Sequence, residues 1–237
     1  MKRFRGDPAT LKSLPPFSWF SDKDLRWAMP SVQHRTYGAR QFIQRAGDPA
    51  DGLYILLSGR VQLLHEDMSG RQFIARLIGP HDFFGELGLL DGGKCIASIR
   101  STHACEALYI PRAVVVECLE QNAQAAMCML RKVSARLEAT HRKLAQFALS
   151  DVRSRLAHVL LENTPEAEPE AVVPAGSEQI AALVGCSREM VSRVIQALVR
   201  QGALRRQGRK LTILERHVLR EIASPHRSAP GAGRRGV

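Results

Sequence analysis

Residues 176–200, GSEQIAALVGCSREMVSRVIQALVR, decide the fold of the C-terminal part of this chain. The apolar residues of this stretch recur at helical spacing, and they are Ile180, Val184, Val191, Val194, Ile195 and Leu198. Gly185 falls where one helix must end and the chain must turn, and Ala181 is small enough to let two helices cross closely. The stretch therefore predicts a helix-turn-helix made of two short helices at a steep angle.

The second of these helices is predicted to begin after Ser187, whose hydroxyl can cap free backbone N–H groups. Its first turns present Arg188, Glu189, Ser192 and Arg193 away from the apolar stripe. Arginine can bind guanine through two donors, glutamate can accept from cytosine, and serine can reach a base or a phosphate. We therefore predict that these five residues contact DNA. The alternative is a solvated face in which Glu189 and Arg193 form an ion pair.

A second DNA-binding feature follows directly in ALRRQGRKLTIL, residues 203–214. Two short apolar runs flank Gln207-Gly208, which is the pattern of a β-hairpin. Basic residues beside the predicted turn can contact phosphate, and they are Arg205, Arg206, Arg209 and Lys210. The helix-turn-helix and this hairpin together predict binding of double-stranded DNA.

The composition agrees with a partner that is a polyanion. The chain has 237 residues and a formal net charge of +11, and 45% of its residues are hydrophobic. This length can hold one large or two small domains, and the charge alone fits nucleic acid or a membrane surface. No apolar run approaches the roughly 20 residues of a membrane span, and residues 1–16 lack the apolar centre of a signal peptide. We predict a cytoplasmic protein without a membrane partner.

The five cysteines, at positions 95, 105, 118, 128 and 186, are odd in number and contain no CxxC pair. This pattern predicts a reducing compartment and no disulfide framework. Cys118, Cys128 and Cys186 are expected to be packing residues, whereas Cys95 and Cys105 stay open as a redox pair. No metal-ligand spacing, nucleophile with a base or Walker loop appears, so neither a metal site nor an enzyme is predicted.

Residues 37–110 alternate short apolar runs with turn residues, which predicts an antiparallel barrel or sandwich. YILLSGRVQLL at residues 54–64 supplies two of its strands. The alternation of apolar runs and turn residues is interrupted by FFGELGLLDGG at residues 83–93, which places Gly85, Glu86 and Gly88 at the end of a strand. Backbone N–H groups can face an anion at such a turn. A tight turn with glycines for steric reasons is the alternative.

From Pro111 to about Leu149 the sequence contains no strong helix breaker and predicts one long helix. Its apolar residues follow steps of three and four, the spacing that seats a helix against a partner helix. The first two turns are expected to pack on the barrel, and the seam beyond Met127 predicts a homodimer. Asp151 is a predicted cap for the next helix, which places a domain boundary near Ser150.

The chain resembles the CRP/FNR superfamily of bacterial transcription regulators over about residues 17–222. The resemblance lies in the order of its features, which are a barrel, the FFGELGLL turn, a long helix, the motif VGCSREMVSRVIQAL and a hairpin. The resemblance implies an α+β chain with a cyclic-nucleotide-binding-type β-roll, a long dimerisation helix and a C-terminal winged helix-turn-helix. We expect a flexible basic arm at 1–16, the roll at 17–112 and the dimerisation helix with a hinge at 113–150. The winged helix-turn-helix is expected at 151–223 and a disordered tail at 224–237.

The resemblance also implies a function. It suggests a homodimer that binds a near-palindromic, TGTGA-like site and regulates transcription together with RNA polymerase. Base contacts then fall on Arg188, Glu189 and Arg193, and Ser192 fits a related E-x-x-S-R pattern. Two other functions stay open, an architectural DNA-binding protein that ignores ligand and a sensory module that regulates a partner enzyme.

The resemblance places an effector pocket in the roll. Its candidate residues are Gly85, Glu86, Leu87, Gly88, Lys94, Ala97, Ser98, Thr140 and His141. In the family an arginine and a serine after the GELGLL turn hold the cyclic phosphate. Here the arginine falls on Cys95 or Ile96 and the serine on Ile96 or Ala97, and none of these can make a bidentate phosphate contact.

Two further candidates bear on cyclic AMP recognition. Lys94 offers a point charge but lacks the planar fork of arginine. Thr140 matches a base-contacting threonine of the family, whereas the serine expected next is His141. We therefore expect cyclic AMP recognition to be lost or replaced, and a cyclic-AMP-responsive activator is the alternative.

The effector itself stays open between a cyclic nucleotide, a cyclic dinucleotide such as cyclic di-GMP, another anionic metabolite and no ligand. An iron–sulfur cluster needs an N-terminal cysteine group, and none is expected because the first cysteine is Cys95. A haem would need an axial ligand, for which His34, His81 and His103 are candidates by residue type.

Overall fold

A computed structural model describes residues 2–4, 7–14, 17–91, 93–164, 177–208 and 210–224 of the chain. Contacts divide the chain into two compact units, Met1–Glu138 and Ala139–Val237. The division falls inside the long helix, whereas the sequence placed a boundary near Ser150. Each unit has a hydrophobic core of its own.

Short apolar runs separated by turns form two antiparallel sheets in the first unit. The first sheet contains, in spatial order, β1 (Lys2–Arg3), β2 (Gln33–Tyr37), β9 (Cys105–Pro111), β4 (Gly52–Ser58) and β7 (Phe83–Phe84). The second sheet contains β3 (Phe42–Gln44), β8 (Ser98–Ser101), β5 (Val61–Glu66) and β6 (Gln72–Ile78). The two strands predicted within residues 54–64 are β4 and β5, so that prediction is confirmed.

The core of the first unit lies on the inner faces of these strands and beneath its helices. Ile55 of β4 pairs with Leu108 of β9, and both side chains are fully buried. The helices of this unit are α1 (Pro8–Lys12), α2 (Asp22–Ala28), α3 (Glu86–Asp91), α4 (Arg112–Gln121) and the first part of α5 (Ala123–Leu149). Two short 3-10 helices at Phe17–Trp19 and Met29–Ser31 flank α2.

The N-terminal segment is part of the core, so the prediction of a flexible basic arm at residues 1–16 is wrong for the residues described there. Lys2 pairs with His34 and Arg3 with Gln33, which adds β1 to the edge of the first sheet. Leu11 is fully buried in the core cluster, and Leu14 is buried beside it. The sequence analysis gave weight to the basic and proline residues of this segment and overlooked two apolar residues that join the core, Leu11 of α1 and Leu14 just after it.

The helix predicted from Pro111 to Leu149 is interrupted at Asn122, which separates α4 from α5. The Asn122 side chain accepts a hydrogen bond from the backbone N–H of Ala125 at 3.0 Å and donates to Asp24 at 2.9 Å. Asparagine side chains compete with helix hydrogen bonds in this way and begin a new helix. The residues before the interruption pack on the roll, as expected for the first two turns.

The second unit contains the last part of α5 and four further helices, α6 (Val152–Glu162), α7 (Ser177–Val184), α8 (Arg188–Arg200) and α9 (Arg216–Ala223). Their apolar faces form one core, in which Leu156, Ile180, Ile195 and Leu219 are buried. β10 (Leu204–Gln207) and β11 (Lys210–Ile213) pair as the hairpin that the sequence predicted, with Gln207 opposite Lys210. The predicted tail lies outside the described residues beyond Ser224.

The turn between α7 and α8 requires glycine at position 185, as the sequence predicted. Gly185 has a φ of +70°, a conformation that L side chains rarely adopt. A Cβ at this position would lie 2.6 Å from the ring of Phe147. The close packing of Phe147 and the left-handed backbone both exclude a larger residue.

Removal of the cap at Asp151 should destabilise the second unit modestly. The Asp151 carboxylate accepts a hydrogen bond from Ser154 N at 2.7 Å, as predicted for the start of α6. Asp151→Ala is expected to cost about 1 kcal/mol of unfolding free energy. Urea unfolding followed by circular dichroism measures this loss. Asp151→Asn, which keeps an acceptor oxygen, should retain most of the stability, and equal losses in both variants would contradict the capping role.

Candidate DNA-reading surface and effector pocket

Helix α8 presents the predicted base-reading residues on its outer face. The Ser187 hydroxyl accepts a hydrogen bond from Met190 N at 3.2 Å, which fixes the start of the helix. Arg188, Glu189 and Arg193 are exposed, and Ser192 is half-buried. The opposite face is buried in the core through Val191, Ile195 and Leu198. The exposed side chains are free to enter a DNA groove, and their base contacts stay a prediction.

Arg188 forms an ion pair with Glu178 of α7 in place of a contact with its own helix. Its Nη2 atom lies 2.5 Å from Glu178 Oε1, and both side chains are more than half exposed. An exposed pair of this kind contributes little to stability, so Arg188 can exchange Glu178 for a guanine base. Glu189 lies beside it, and hydrogen bonds from its own backbone N–H and from Ser187 lower the pKa of its carboxyl. Glu189 is therefore an ionised acceptor at neutral pH.

Two further polar residues share this surface and were missed in the sequence. Gln196 and Arg200 are exposed and follow Glu189 and Arg193 in steps of three and four along one face of α8. Together with Arg206 of β10 they line a concave groove beside the hairpin. Their helical spacing was the signal that could have found them.

Two of the hairpin residues with predicted phosphate contacts are exposed. Arg206 is exposed, and its Nε donates to the carbonyl of Gly208 at 3.3 Å. Lys210 is exposed at the start of β11. Arg209 lies outside the described residues, so its predicted phosphate contact stays a prediction. The hairpin thus places two basic side chains next to the recognition helix.

The predicted effector pocket is a small cavity of about 30 Å³ in the roll. The described residues that line it are Gln44, Leu63, Arg76, Phe84, Gly85, Glu86, Leu87, Gly88, Cys95, Ile96, Ala97 and Ile99. Gly85 has a φ of +94°, and a Cβ there would lie 2.6 Å from the carbonyl oxygen of Gly52. At Gly88 a Cβ would meet the carbonyl of Lys94 at 2.5 Å. Both glycines are therefore required sterically, whether or not the turn faces an anion.

The carboxylate of Glu86 is buried and already paired within the first unit. Its Oε1 atom accepts a hydrogen bond from Nη1 of Arg136 at 2.5 Å. Nη2 of Arg136 donates to Asp82 Oδ1 at 2.7 Å and to the Phe83 carbonyl at 2.9 Å, and the guanidinium lies 3.8 Å from the Phe83 ring centroid. Arg136 belongs to α5, so one side chain joins the long helix to the turn that carries Glu86.

Arg136 was missed in the sequence because its partners are 50 or more residues away. A signal was nevertheless present in the spacing of α5. Ala125, Met129 and Val133 follow one another at intervals of four and pack into the roll core, and Arg136 continues that face. An arginine in an otherwise apolar stripe indicates a buried acceptor on the opposite surface.

A second arginine from β6 completes the network. Nη2 of Arg76 donates to Asp82 Oδ2 at 3.0 Å and to the Phe83 carbonyl at 2.9 Å. Burial and the neighbouring charge of Arg136 lower the pKa of Arg76. Two arginines face the two carboxylates of Asp82 and Glu86, so the network carries no net charge.

The positions where the family holds a cyclic phosphate are apolar in the folded roll. Cys95 and Ala97 are buried in the cavity wall, and Ile96 is 59% exposed at its rim. Of the other candidates, Gly85, Glu86, Leu87 and Gly88 also line the cavity, whereas Lys94 and Ser98 are absent from its described lining. Ser98 instead accepts a hydrogen bond from Ala46 N at 3.0 Å. Thr140 and His141 lie on α5 in the second unit.

The cysteines and histidines of the roll have structural surroundings. Cys95 and Cys105 are buried free thiols, and burial raises the pKa of both, which makes a reactive thiolate unfavourable. His34 contacts Glu106 at 3.2 Å and His103 contacts the Thr102 hydroxyl at 3.1 Å, while His81 is exposed. Across the described ranges no cluster of three or more histidine, cysteine or carboxylate residues could hold a metal.

A roll with a cavity beside a glycine turn, followed by a winged helix-turn-helix with an exposed basic face, defines a DNA-binding transcription regulator with a cyclic-nucleotide-binding domain. Residues 34–122 match the family described as cyclic nucleotide-binding domain, and residues 154–222 match the Crp-like helix-turn-helix domain. The chain belongs to the CRP/FNR superfamily of bacterial transcription regulators. The α+β fold class that the sequence predicted is confirmed.

Relatives with known names support this assignment. The chain is 32% identical over 200 residues to the cAMP-activated global transcriptional regulator Vfr of Pseudomonas aeruginosa, covering 81% of this chain and 94% of Vfr. The solved structure of CLP, a c-di-GMP-responsive global regulator of Xanthomonas campestris, is 27% identical with a TM-score of 0.72, covering 81% and 99% of the two chains.

A CRP/FNR-family transcriptional regulator of Thermus thermophilus is also similar. It is 28% identical, with a TM-score of 0.68 and coverage of 82% of this chain and 100% of that chain. These relatives are transcription regulators. In the parts of the chain that the structure describes, no helix has an apolar stretch long enough to cross a membrane.

Proposed function

We propose that this protein is a homodimeric, sequence-specific regulator that recognises a near-palindromic, TGTGA-like site and does not depend on cyclic AMP. The proposed DNA recognition rests on Arg188, Glu189 and Arg193, which are exposed on α8. These side chains match the donor and acceptor pattern of guanine and cytosine edges in the major groove. Dimer-related helices would read half-sites one helical turn apart, at roughly 34 Å.

The dimer in this proposal is supported by the outer face of α5. Leu130 and Leu137 are one heptad apart, and each is more than half exposed. Leu144 repeats the spacing and is 65% exposed. An apolar residue every seven positions on an exposed helix is suited to pairing with the same helix of a second copy. We therefore assign α5 as the dimerisation helix.

Independence from cyclic AMP is supported by the cavity wall. Ile96 and Ala97 replace the cation and hydroxyl that the family uses for the cyclic phosphate, and the buried Glu86 is neutralised by Arg136. Arg76 also lines the cavity, but it is already paired with Asp82, so an anion entering the cavity would lose hydration without gaining a free counter-charge. A second candidate, a cyclic-AMP-responsive activator, is favoured by the 32% identity to Vfr, which is named as cAMP-activated.

The proposed regulator acts on chromosomal DNA, so we place it in the cytoplasm with RNA polymerase as a functional partner.

Removal of Arg193 tests the DNA half of the proposal. Arg193→Ala should weaken binding to a palindromic TGTGA duplex by about 1 to 3 kcal/mol, or roughly 5- to 150-fold, because a bidentate guanine contact is lost. Gel-shift titration at fixed salt measures the change. Arg71→Ala, which removes an exposed arginine from a roll hairpin, is the charge-matched control. Equal affinity of Arg193→Ala and the parent protein would refute the base contact.

Cyclic nucleotide titration tests the sensory half. Cyclic AMP at micromolar concentration should change neither the melting temperature nor the affinity for the duplex, because a ligand stabilises only a state that it binds. Cyclic GMP and cyclic di-GMP are titrated in parallel. Micromolar cyclic AMP that tightens DNA binding would establish the second candidate instead.

A further inference from the structure

The turn between α7 and α8 lies against one aromatic ring from the end of α5. Phe147, in the last turn of α5, is half-buried. Its ring is so close to Gly185 that a Cβ there would lie 2.6 Å from Cε1 and 3.1 Å from Cζ. Arg188, the first residue of α8, is three positions after Gly185. The ring of Phe147 therefore packs against the backbone that leads into the recognition helix.

One arginine of α6 connects the same two elements. The guanidinium of Arg155 lies 5.0 Å from the ring centroid of Phe147. Its Nε donates to the carbonyl of Val184, the last residue of α7, at 3.1 Å. Its Nη1 donates to the carbonyl of Ser150, directly after α5, at 2.9 Å. The donors of a guanidinium have a rigid planar arrangement, so these two bonds hold the ends of α5 and α7 at a set distance.

Helix capping alone does not account for this arrangement. Carbonyl groups at a helix C-terminus lack partners within the helix, and a basic side chain can satisfy them. Arg155 does this for carbonyls at the ends of two different helices, while it also lies over a ring from α5. We call Phe147, Arg155 and Gly185 the joint. The joint fastens the last turn of α5 to α6 and to the turn that begins α8.

The direction of α8 relative to α5 decides which DNA sites a dimer can bind. In the proposed dimer, two copies of α5 pair along the seam that contains Leu144, which is three residues before Phe147 and 65% exposed. The separation of the two copies of α8 then depends on how each joint holds α8. B-DNA turns by about 35° per base pair, so a half-site that moves along the duplex also rotates around it. A rigid joint therefore fits one spacing of half-sites.

We propose that Phe147 and Arg155 are positioning residues, which fix α8 relative to α5 and thereby restrict this regulator to palindromes with one spacing between half-sites. Neither residue contacts DNA in this proposal. The inference rests on the proposed function, because it requires a dimer that reads two half-sites. It places a determinant of specificity outside the base-reading face of α8.

The two variants that test the inference remove different parts of the joint. Phe147→Ala removes the ring, whereas Arg155→Lys keeps the positive charge but lacks the planar fork that reaches two carbonyls. Arg155→Lys carries the test alone if Phe147→Ala fails to fold. Ile222→Ala is the control, because it removes a half-buried apolar side chain of α9 from the core of the same unit. It should lower the melting temperature and keep the spacing preference of the parent protein.

Half-site spacing is the measurement that separates positioning from stability. Gel-shift titrations use duplexes with two TGTGA half-sites at the best spacing, at spacings one or two base pairs shorter or longer, and a duplex with a single half-site. The parent protein should lose roughly ten-fold or more in affinity at the altered spacings, because both half-sites can no longer be engaged together.

Both joint variants should bind the best-spaced palindrome roughly ten-fold more weakly than the parent protein, because a looser link lowers the effective concentration of the second α8. The difference between spacings should shrink to about three-fold or less, since a looser link accepts more geometries. Affinity for the single half-site should be unchanged, because the base-reading side chains are intact.

Two results would overturn the inference. One is a spacing preference in both variants that is as sharp as that of the parent protein. The other is an equal loss of affinity for every spacing and for the single half-site, which is what a loss of stability alone produces. Failure of the proposed function appears in the parent protein instead. A parent protein that binds no palindrome more tightly than a single half-site refutes the dimeric regulator, whereas a sharp preference that the variants keep refutes only the joint.

Discussion

Replacement of Arg136 with methionine is expected to lower the unfolding free energy of the roll by about 3–5 kcal/mol, because it removes one partner of a buried ion pair. The Glu86 side chain is 5% exposed and would lose the guanidinium that lies 2.5 Å away. Asp82 and the Phe83 carbonyl would each lose a donor as well. Methionine fills much of the same volume, so the loss reports the charge pairing rather than a cavity.

Tryptophan fluorescence in urea is well suited to this measurement. The chain has two tryptophans, at positions 19 and 27, and both belong to the first unit. The double variant Glu86→Gln/Arg136→Met removes the stranded charge and should recover a large part of the stability. A loss below about 1 kcal/mol in Arg136→Met, the level of an exposed pair, would show that the network is not buried in solution.

Replacement of Leu137 with aspartate is expected to abolish the dimer and to weaken binding to the palindromic duplex by roughly 100-fold or more. A dimer with two linked DNA-binding domains binds DNA about 10²- to 10⁴-fold more tightly than one domain alone, because the second binding event becomes intramolecular. Leu137 is 56% exposed in the single chain, and aspartate in a paired seam would place two like charges in an apolar contact. The folded chain itself should tolerate the change.

Sedimentation velocity and gel-shift titration measure the two parts of this expectation. Ala135→Asp introduces the same charge at an exposed position two residues earlier, on another face of α5. It should leave both the dimer and the DNA affinity intact. A Leu137→Asp protein that stays dimeric would remove α5 from the dimer interface.

The sequence was sufficient for features that depend on local spacing. The helix-turn-helix, the caps at Asp151 and Ser187 and the hairpin at Gln207-Gly208 all follow from residues within one or two turns of each other. The family match followed from the same motifs. Such features are predictable because helix period, capping and turn conformation are properties of neighbouring residues.

The features that were missed depend on residues far apart in the chain. Arg136 meets Glu86 across 50 positions, and Asn122 meets Asp24 across 98. The side-chain nitrogen of Gln44 is buried and has no hydrogen-bond partner among the described residues. This could not be predicted either, because a glutamine in a strand is expected to be exposed or satisfied. Alternation alone does not tell which polar residue faces inward without a partner.

The pairing of β1 with β2 has a consequence for the behaviour of the protein in solution. An unpaired strand at the edge of a sheet is a template for association with other chains, and short, charged edge strands prevent it. β1 is a two-residue edge strand that pairs with His34 and Gln33 of β2. A chain shortened to begin at Phe17 would leave β2 as an open edge and would uncover the apolar surface beneath Leu11. We therefore expect the shortened chain to aggregate more readily than the full chain.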